Sequence, residues 1–213
     1  MDTFIEKLAQ RLQEPLPGPE AQYRLAHAVR RPLGPPPPDA RQASVLALFY
    51  PKADEWNLVL IERTSSHPDD RHGGQIGFPG GRVEPEDPSL GHAALREAEE
   101  EVGAPAHDIR LLGRLTELYI PVSNYLVHPF VGWLDYAPDF RRQVTEVAAI
   151  LEVPYASFQD LSNLRKTDLQ ITPSIRLREV PFFAVQQKIV WGATAMMIGE
   201  LLALSEGEGH FPD

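Results

Sequence analysis

The sequence predicts an α+β fold, or an α/β/α sandwich, built around one mixed β-sheet. Three observations carry this expectation. Short apolar runs of β-forming residues come first, at 44–50 (SVLALFY) and 56–61 (WNLVLI), joined by a polar PKADE turn that makes them paired strands. One amphipathic helical segment follows over 88–102. Further short apolar runs and a closing helical segment at 193–204 complete the order: strands, helix, strands, helix.

Taken from the N-terminus, Phe4, Ile5, Leu8 and Leu12 recur at helical spacing, which predicts a short amphipathic helix over 3–13, ended by Pro15. Prolines then cluster at Pro15, Pro17, Pro19, Pro32 and 35–38, leaving room for one helical piece over 20–29. Residues 1–40 are therefore read as an N-terminal helix and Pro-rich arm, and 41–213 as the principal domain. The arm either wraps the domain or a partner subunit, which gives a homodimer, or it is an extended linker, because polyproline needs no packing to stay extended.

The polar, glycine-containing stretch 63–77 reads as a loop. After it, Asp87 is a good N-cap, Pro88 suits the first helical position, and Gly103 followed by Pro105 stops the helix. Strands are expected over 109–118, 126–134 and 145–153, interrupted by Pro121, Pro138 and Pro154. A short helix over 155–161, a hairpin over 169–177 and a last strand over 188–191 precede the closing helix, whose core face is Met196, Met197, Leu201 and Leu204.

Composition narrows the chemistry. Cysteine is absent, so disulfides, thiolate catalysis and Cys-based metal sites are excluded, and any metal must be held by oxygen or histidine. The net charge of -10 argues against nucleic-acid binding, which relies on basic surface. An acidic protein still binds a phosphorylated ligand when divalent cations bridge carboxylates to phosphate oxygens. There is no apolar run long enough to span a bilayer and no signal-peptide apolar segment, so a cytoplasmic protein without a membrane partner is expected.

The chemistry concentrates in 74–103, GQIGFPGGRVEPEDPSLGHAALREAEEEVG. On a helix Glu97, Glu100 and Glu101 occupy one arc roughly 100° wide, at the edge of the apolar stripe Ala94, Leu95, Ala98 and Val102. Like charges at these spacings repel, and partial burial adds to the cost, unless a cation sits among them. Arg96, one turn before Glu100, is within reach of an ion pair that would fix that acid. A triple Glu taken alone is usually a solvated helix face; the FPGG turn upstream is what separates this one from that reading. Oxygen donors without Cys or paired His favour Mg²⁺ or Mn²⁺ over Zn²⁺. Such a cluster suits hydrolysis of a phosphoanhydride by water, with a carboxylate taking the proton. Arg63, Arg71 and Arg82 are the basic residues placed to meet a ligand phosphate.

Gly81, Asp87, Arg96, Glu97, Glu100, Glu101 and Gly103 lie nearly where the Nudix hydrolase signature places Gly, Glu, Arg-Glu, Glu-Glu and Gly. The chain therefore resembles that family, with Asp for the first Glu and eight residues rather than seven before the Arg. The resemblance implies the Nudix α/β/α sandwich. It also implies that Glu97, Glu100 and Glu101 are metal ligands or the base, with the backbone carbonyl of Gly80 completing the coordination. Asp87 would pair with Arg96, or serve as a plain N-cap. Glu146 falls where many relatives supply a further acid, as ligand or base; an ordinary acid at a strand start fits equally.

The upstream residues Arg63-Thr64, His72, Gly74-Gln75 and 78–81 (FPGG) resemble the coenzyme A pyrophosphatase branch. That likeness implies substrate contacts from His72, Gln75 and Phe78 as well as the arginines, and coenzyme A as the substrate, split into 4′-phosphopantetheine and 3′,5′-ADP. Asp70 stands where the branch usually carries an arginine, with Arg71 adjacent. This leaves ADP-ribose or another nucleoside diphosphate compound as an alternative substrate, and a non-catalytic nucleotide-sensing domain as a rival of a different class. His72, His92 and His128 are isolated in sequence, which reads as loop or packing histidines.

Overall fold

The computed structural model describes residues 3–27, 34–64, 73–172 and 175–206. Two helices open the chain, α1 (Thr3–Arg11) and α2 (Gly18–Arg24). They lead into β1 (Arg41–Lys52), β2 (Glu55–Arg63), β3 (Ile76–Gly77) and β4 (Gly80–Arg82). Helix α3 (Leu90–Val102) follows, then β5 (Arg110–Arg114), β6 (Leu118–Ile120), β7 (Tyr125–Trp133) and β8 (Val147–Pro154). After α4 (Ala156–Gln159) come β9 (Leu164–Thr172), β10 (Ile175–Val185), β11 (Lys188–Trp191) and α5 (Gly192–Glu206).

Eight strands form one mixed sheet. β1 lies at its centre, parallel to β7 on one side and antiparallel to β2 and β4 on the other; β2 also pairs with β3 and β8, and β7 with β5 and β6. Strands β9 to β11 make a separate antiparallel sheet. The long apolar runs of β1 and β2 have a direct cause: both faces of the sheet are covered. Leu46, Leu48, Tyr50, Val59 and Ile61 pack with Ala94, Ala98 and Val102 under α3. Ala47, Phe49, Leu58 and Leu60 face the other way, into a core shared with Ile5, Leu8, Leu12, Leu25, Phe183, Met196, Ile198, Leu201 and Leu202. This is the sandwich expected from the element order.

Several expected boundaries move, each for a visible reason. The strand expected over 109–118 is two strands, because the Thr116 amide and hydroxyl bond to the buried Glu200 carboxylate instead of continuing the ladder. Residues 144–146 form a turn, so β8 starts at Val147. Within the expected loop over 63–77, Ile76 and Gly77 pair with β2. The cap of α3 is Ser89, whose hydroxyl accepts the His92 N–H at 3.3 Å; Asp87 is not the N-cap. Gly103 ends the helix in the left-handed conformation at φ 70°, where a side chain would be strained. The described helices of the arm have a place in this chain's own core: α2 lies against α5, and Ile5, Leu8 and Leu25 are buried.

Candidate active site

The glycine pair, the acidic helix and the end of β2 meet on the α3 face of the sheet. Gly80 and Gly81 in β4 pair with Val45 and Ser44 in β1, and each glycine is required for its own reason. A Cβ on Gly80 would stand 2.4 Å from the Ser44 carbonyl oxygen, inside the strand pairing. A Cβ on Gly81 would stand 2.6 Å from the Glu97 carboxylate. The first glycine lets the strands close, and the second leaves room for the acid.

Four of the five acids are fixed by named partners. Glu101 is 1% exposed; its Oε2 accepts the Gly80 N–H at 2.8 Å, and Arg63 Nη1 stands 3.5 Å from its Oε1. Burial pushes the Glu101 carboxyl up to about 7; the Gly80 bond and Arg63 oppose this, while Glu97 and Glu146 add to it. Glu97, also buried, is raised by the same loss of solvent, with Arg96 opposing and Glu100 and Glu146 reinforcing. Arg96 is the hub: it donates to both carboxylate oxygens of Asp87 at 2.9 Å, to Glu97 at 3.0 Å, to Glu100 at 3.1 Å and to the Arg82 carbonyl at 3.2 Å. The bidentate bond holds the Asp87 carboxyl below its ordinary range. So Asp87 is the partner of Arg96, tying the loop to the helix.

The remaining candidates fall in different places. Glu146 is an exposed turn residue whose charge is felt by both Glu97 and Glu101, and its carbonyl accepts the Thr64 N–H at 2.8 Å. Arg63 is at the site. Gln75 is partly buried, and its carbonyl accepts the Arg63 N–H at 3.1 Å. Arg82 is exposed one residue beyond the glycine pair. Phe78, by contrast, is 4% exposed and belongs to the core on the α5 side of the sheet. Arg71 and His72 lie outside the described residues. His92 bonds the Ser89 hydroxyl, and His128 is buried against Gln42.

Among the described residues no three acid or histidine side chains stand together at ligating distance; Arg96 holds Glu97 and Glu100 at its own nitrogens. The donor chemistry nonetheless fits a hard divalent cation: all-oxygen groups, two of them deprived of water, with Glu97 raising the cost of ionising Glu101, and Glu100 and Glu146 raising that of Glu97. Glu97, Glu100 and Glu101 are the side chains that would hold it.

An acidic helix set against a glycine turn suits phosphoanhydride hydrolysis, and the similarity to known proteins bears out that class, the pyrophosphohydrolases. Residues 40–174 match the family model described as the NUDIX domain. The chain is 37% identical to the uncharacterized Nudix hydrolase NudL of Photorhabdus laumondii over 172 residues, 78% of this chain and 89% of that protein. It is 32% identical to the NudL of Yersinia pestis (strain Pestoides F) over 198 residues, 93% of each. The chain belongs to the Nudix hydrolase family, and is a hydrolase of nucleoside diphosphate derivatives.

Proposed function

We propose that this Nudix hydrolase cleaves coenzyme A at its pyrophosphate, releasing 4′-phosphopantetheine and 3′,5′-ADP in the cytoplasm, with Mg²⁺ or Mn²⁺ held by Glu97, Glu100, Glu101 and the Gly80 carbonyl. The observation that supports the chemistry most is the pair of buried carboxylates, Glu97 and Glu101, set against the glycine pair. The substrate rests on the sequence element from Arg63 to Gly81, which leads directly into those glycines.

A bound divalent ion would neutralise charge on the phosphoryl oxygens and acidify a water. The chain's own residues supply the rest. Arg63, together with Arg71 and Arg82, binds the phosphates through guanidinium groups. Arg96 holds the loop and helix in one geometry. Water attacks one phosphorus, the bridging P–O bond breaks towards the other phosphate, and the water's proton passes to a carboxylate. Glu101, brought up to about 7 by burial, and Glu146, exposed beside it, are the two acceptors; loss of turnover with retained metal binding in one Gln variant identifies the base.

A panel of coenzyme A, ADP-ribose and dinucleotides with Mg²⁺ and with Mn²⁺, with products identified, tests the substrate. Much faster turnover of ADP-ribose would overturn coenzyme A, and Asp70 is the residue that favours that second reading. Nucleotide binding without any hydrolysis on the panel would support a sensor. Glu100→Gln is expected to cost orders of magnitude in metal-dependent turnover, and unchanged activity would remove Glu100 from the site.

A further inference from the structure

Ser44 is wholly buried, and among the described residues its hydroxyl has no hydrogen-bond partner. A buried hydroxyl left unbonded carries a cost and calls for an explanation. Its surroundings follow from the strand register. Leu46, Leu48 and Tyr50 point from β1 towards α3, so Ser44, two residues earlier on an unbroken ladder, points the same way. Its neighbours on that face are Gly81 on one side and His128 on the other.

Side chains opposite each other on adjacent strands have Cβ atoms about 5 Å apart. Gly81 has no Cβ, and the Glu97 carboxylate occupies that place, 2.6 Å from where the carbon would be. The acid is thus the next group to Ser44 across the sheet. Among the described residues the Glu97 carboxylate receives one hydrogen bond, from Arg96 to Oε1 at 3.0 Å; Oε2 receives none. On the other side His128 Nδ1 is also buried and without a hydrogen bond, with Glu117 Oε2 3.8 Å away; Nε2 of that ring meets Gln42 Oε1 at 2.5 Å, and because an amide oxygen only accepts, Nε2 carries the proton there and Nδ1 of the neutral ring is an acceptor. A serine has one proton to give, and a carboxylate makes the stronger, charge-assisted bond.

We propose that Ser44 is a positioning residue for Glu97, its hydroxyl donating to Glu97 Oε2 and holding the carboxylate over the glycine pair in the orientation that receives a divalent cation. This rests on the reading of Glu97 as a metal-holding residue. In the structure the hydroxyl is not bonded to the acid, so the bond belongs to the arrangement in which Glu97 turns from Arg96 towards a cation.

The test is Mn²⁺ alone, titrated into the full chain and followed by electron paramagnetic resonance, for wild type, Ser44→Ala, Ser44→Thr and Glu97→Gln, with thermal unfolding and steady-state kinetics of each. Groups that orient a metal-holding side chain typically change metal affinity by about 10–100-fold. Ser44→Ala is expected to bind Mn²⁺ weaker by that factor and to lose kcat more than it raises KM for substrate. Its metal-free melting temperature should be unchanged or higher, because an unbonded hydroxyl has been removed. Ser44→Thr, which keeps the hydroxyl, should recover most of the affinity. If Ser44→Ala binds Mn²⁺ within twofold of wild type while Glu97→Gln binds weakly, the inference is overturned and Ser44 is a buried neighbour of His128. If Glu97→Gln also binds as wild type does, the metal reading of Glu97 falls with it.

Discussion

At Glu101 the competition between burial and bonding can be read through pH. Its folded-state value, about 7, lies above the ordinary 4.5, so the folded chain keeps this proton when the unfolded chain has lost it. The resulting stability is complete below about 4.5 and is lost as pH rises through about 7. Thermal unfolding in EDTA should therefore show wild type falling relative to Glu101→Gln across that window, and divalent ion should restore it. Two parallel curves would mean that Glu101 is not buried as described. The neighbouring glycines offer a second contrast. Gly81→Ala places a methyl where Glu97 stands, and a displacement of about 1 Å in an active site costs about a hundredfold in rate; kcat/KM should fall while the fold survives. Gly80→Ala meets backbone at 2.4 Å, and is expected to lower stability by about 1–3 kcal/mol or more, measured by denaturant unfolding.

Helices α2 and α5 are joined by a buried charge. Glu200, fully buried, accepts from the Gly18 N–H at 3.1 Å, Gln22 Nε2 at 2.8 Å, the Thr116 N–H at 3.2 Å and the Thr116 hydroxyl at 2.6 Å. Among the described residues four donors, none of them a cation, satisfy the carboxylate, so the acid serves as a knot between α2, α5 and the β5–β6 connection. An amide in its place offers one acceptor oxygen and leaves donors unbonded. Glu200→Gln is expected to lose about 2–3 kcal/mol in chemical denaturation with kcat little changed, since the knot lies on the far side of the sheet from Glu97.

For the whole molecule, the arm is the element whose role the structure changes most. Read as sequence, residues 1–40 have prolines and one amphipathic helix, and nothing in that pattern says what the apolar stripe packs on. In the structure Ile5, Leu8, Leu12 and Leu25 complete the core around α5. Removing residues before Arg41 strips several large apolar side chains, each worth about 2–5 kcal/mol when deleted from a core, against a total stability of about 5–15 kcal/mol. The truncated chain should fail to unfold cooperatively or to stay soluble, and a native-like melting curve would contradict this. Mass in solution of the full chain tests the expected homodimer separately. Among the described residues no helix is long and apolar enough to cross a membrane.

The sequence by itself determined the layered fold, the acidic helix and the glycine turn, because each is written in local periodicity or in a short motif whose residues are neighbours in the chain. It also indicated that Arg96 would reach Glu100, since a one-turn spacing fixes that contact. Only the tertiary structure decided between the two roles of Asp87, buried Phe78 in the core, and gave Glu97, Glu100 and Glu101 unequal exposure on one helix. It alone set Ser44 opposite Gly81, whose missing side chain leaves the place that the Glu97 carboxylate fills, and tied Glu200 to residues on α2 and on the β5–β6 connection. These outcomes depend on strand register and on which face of a helix is covered. Both are fixed by contacts between residues far apart in sequence, for which no local pattern carries a signal.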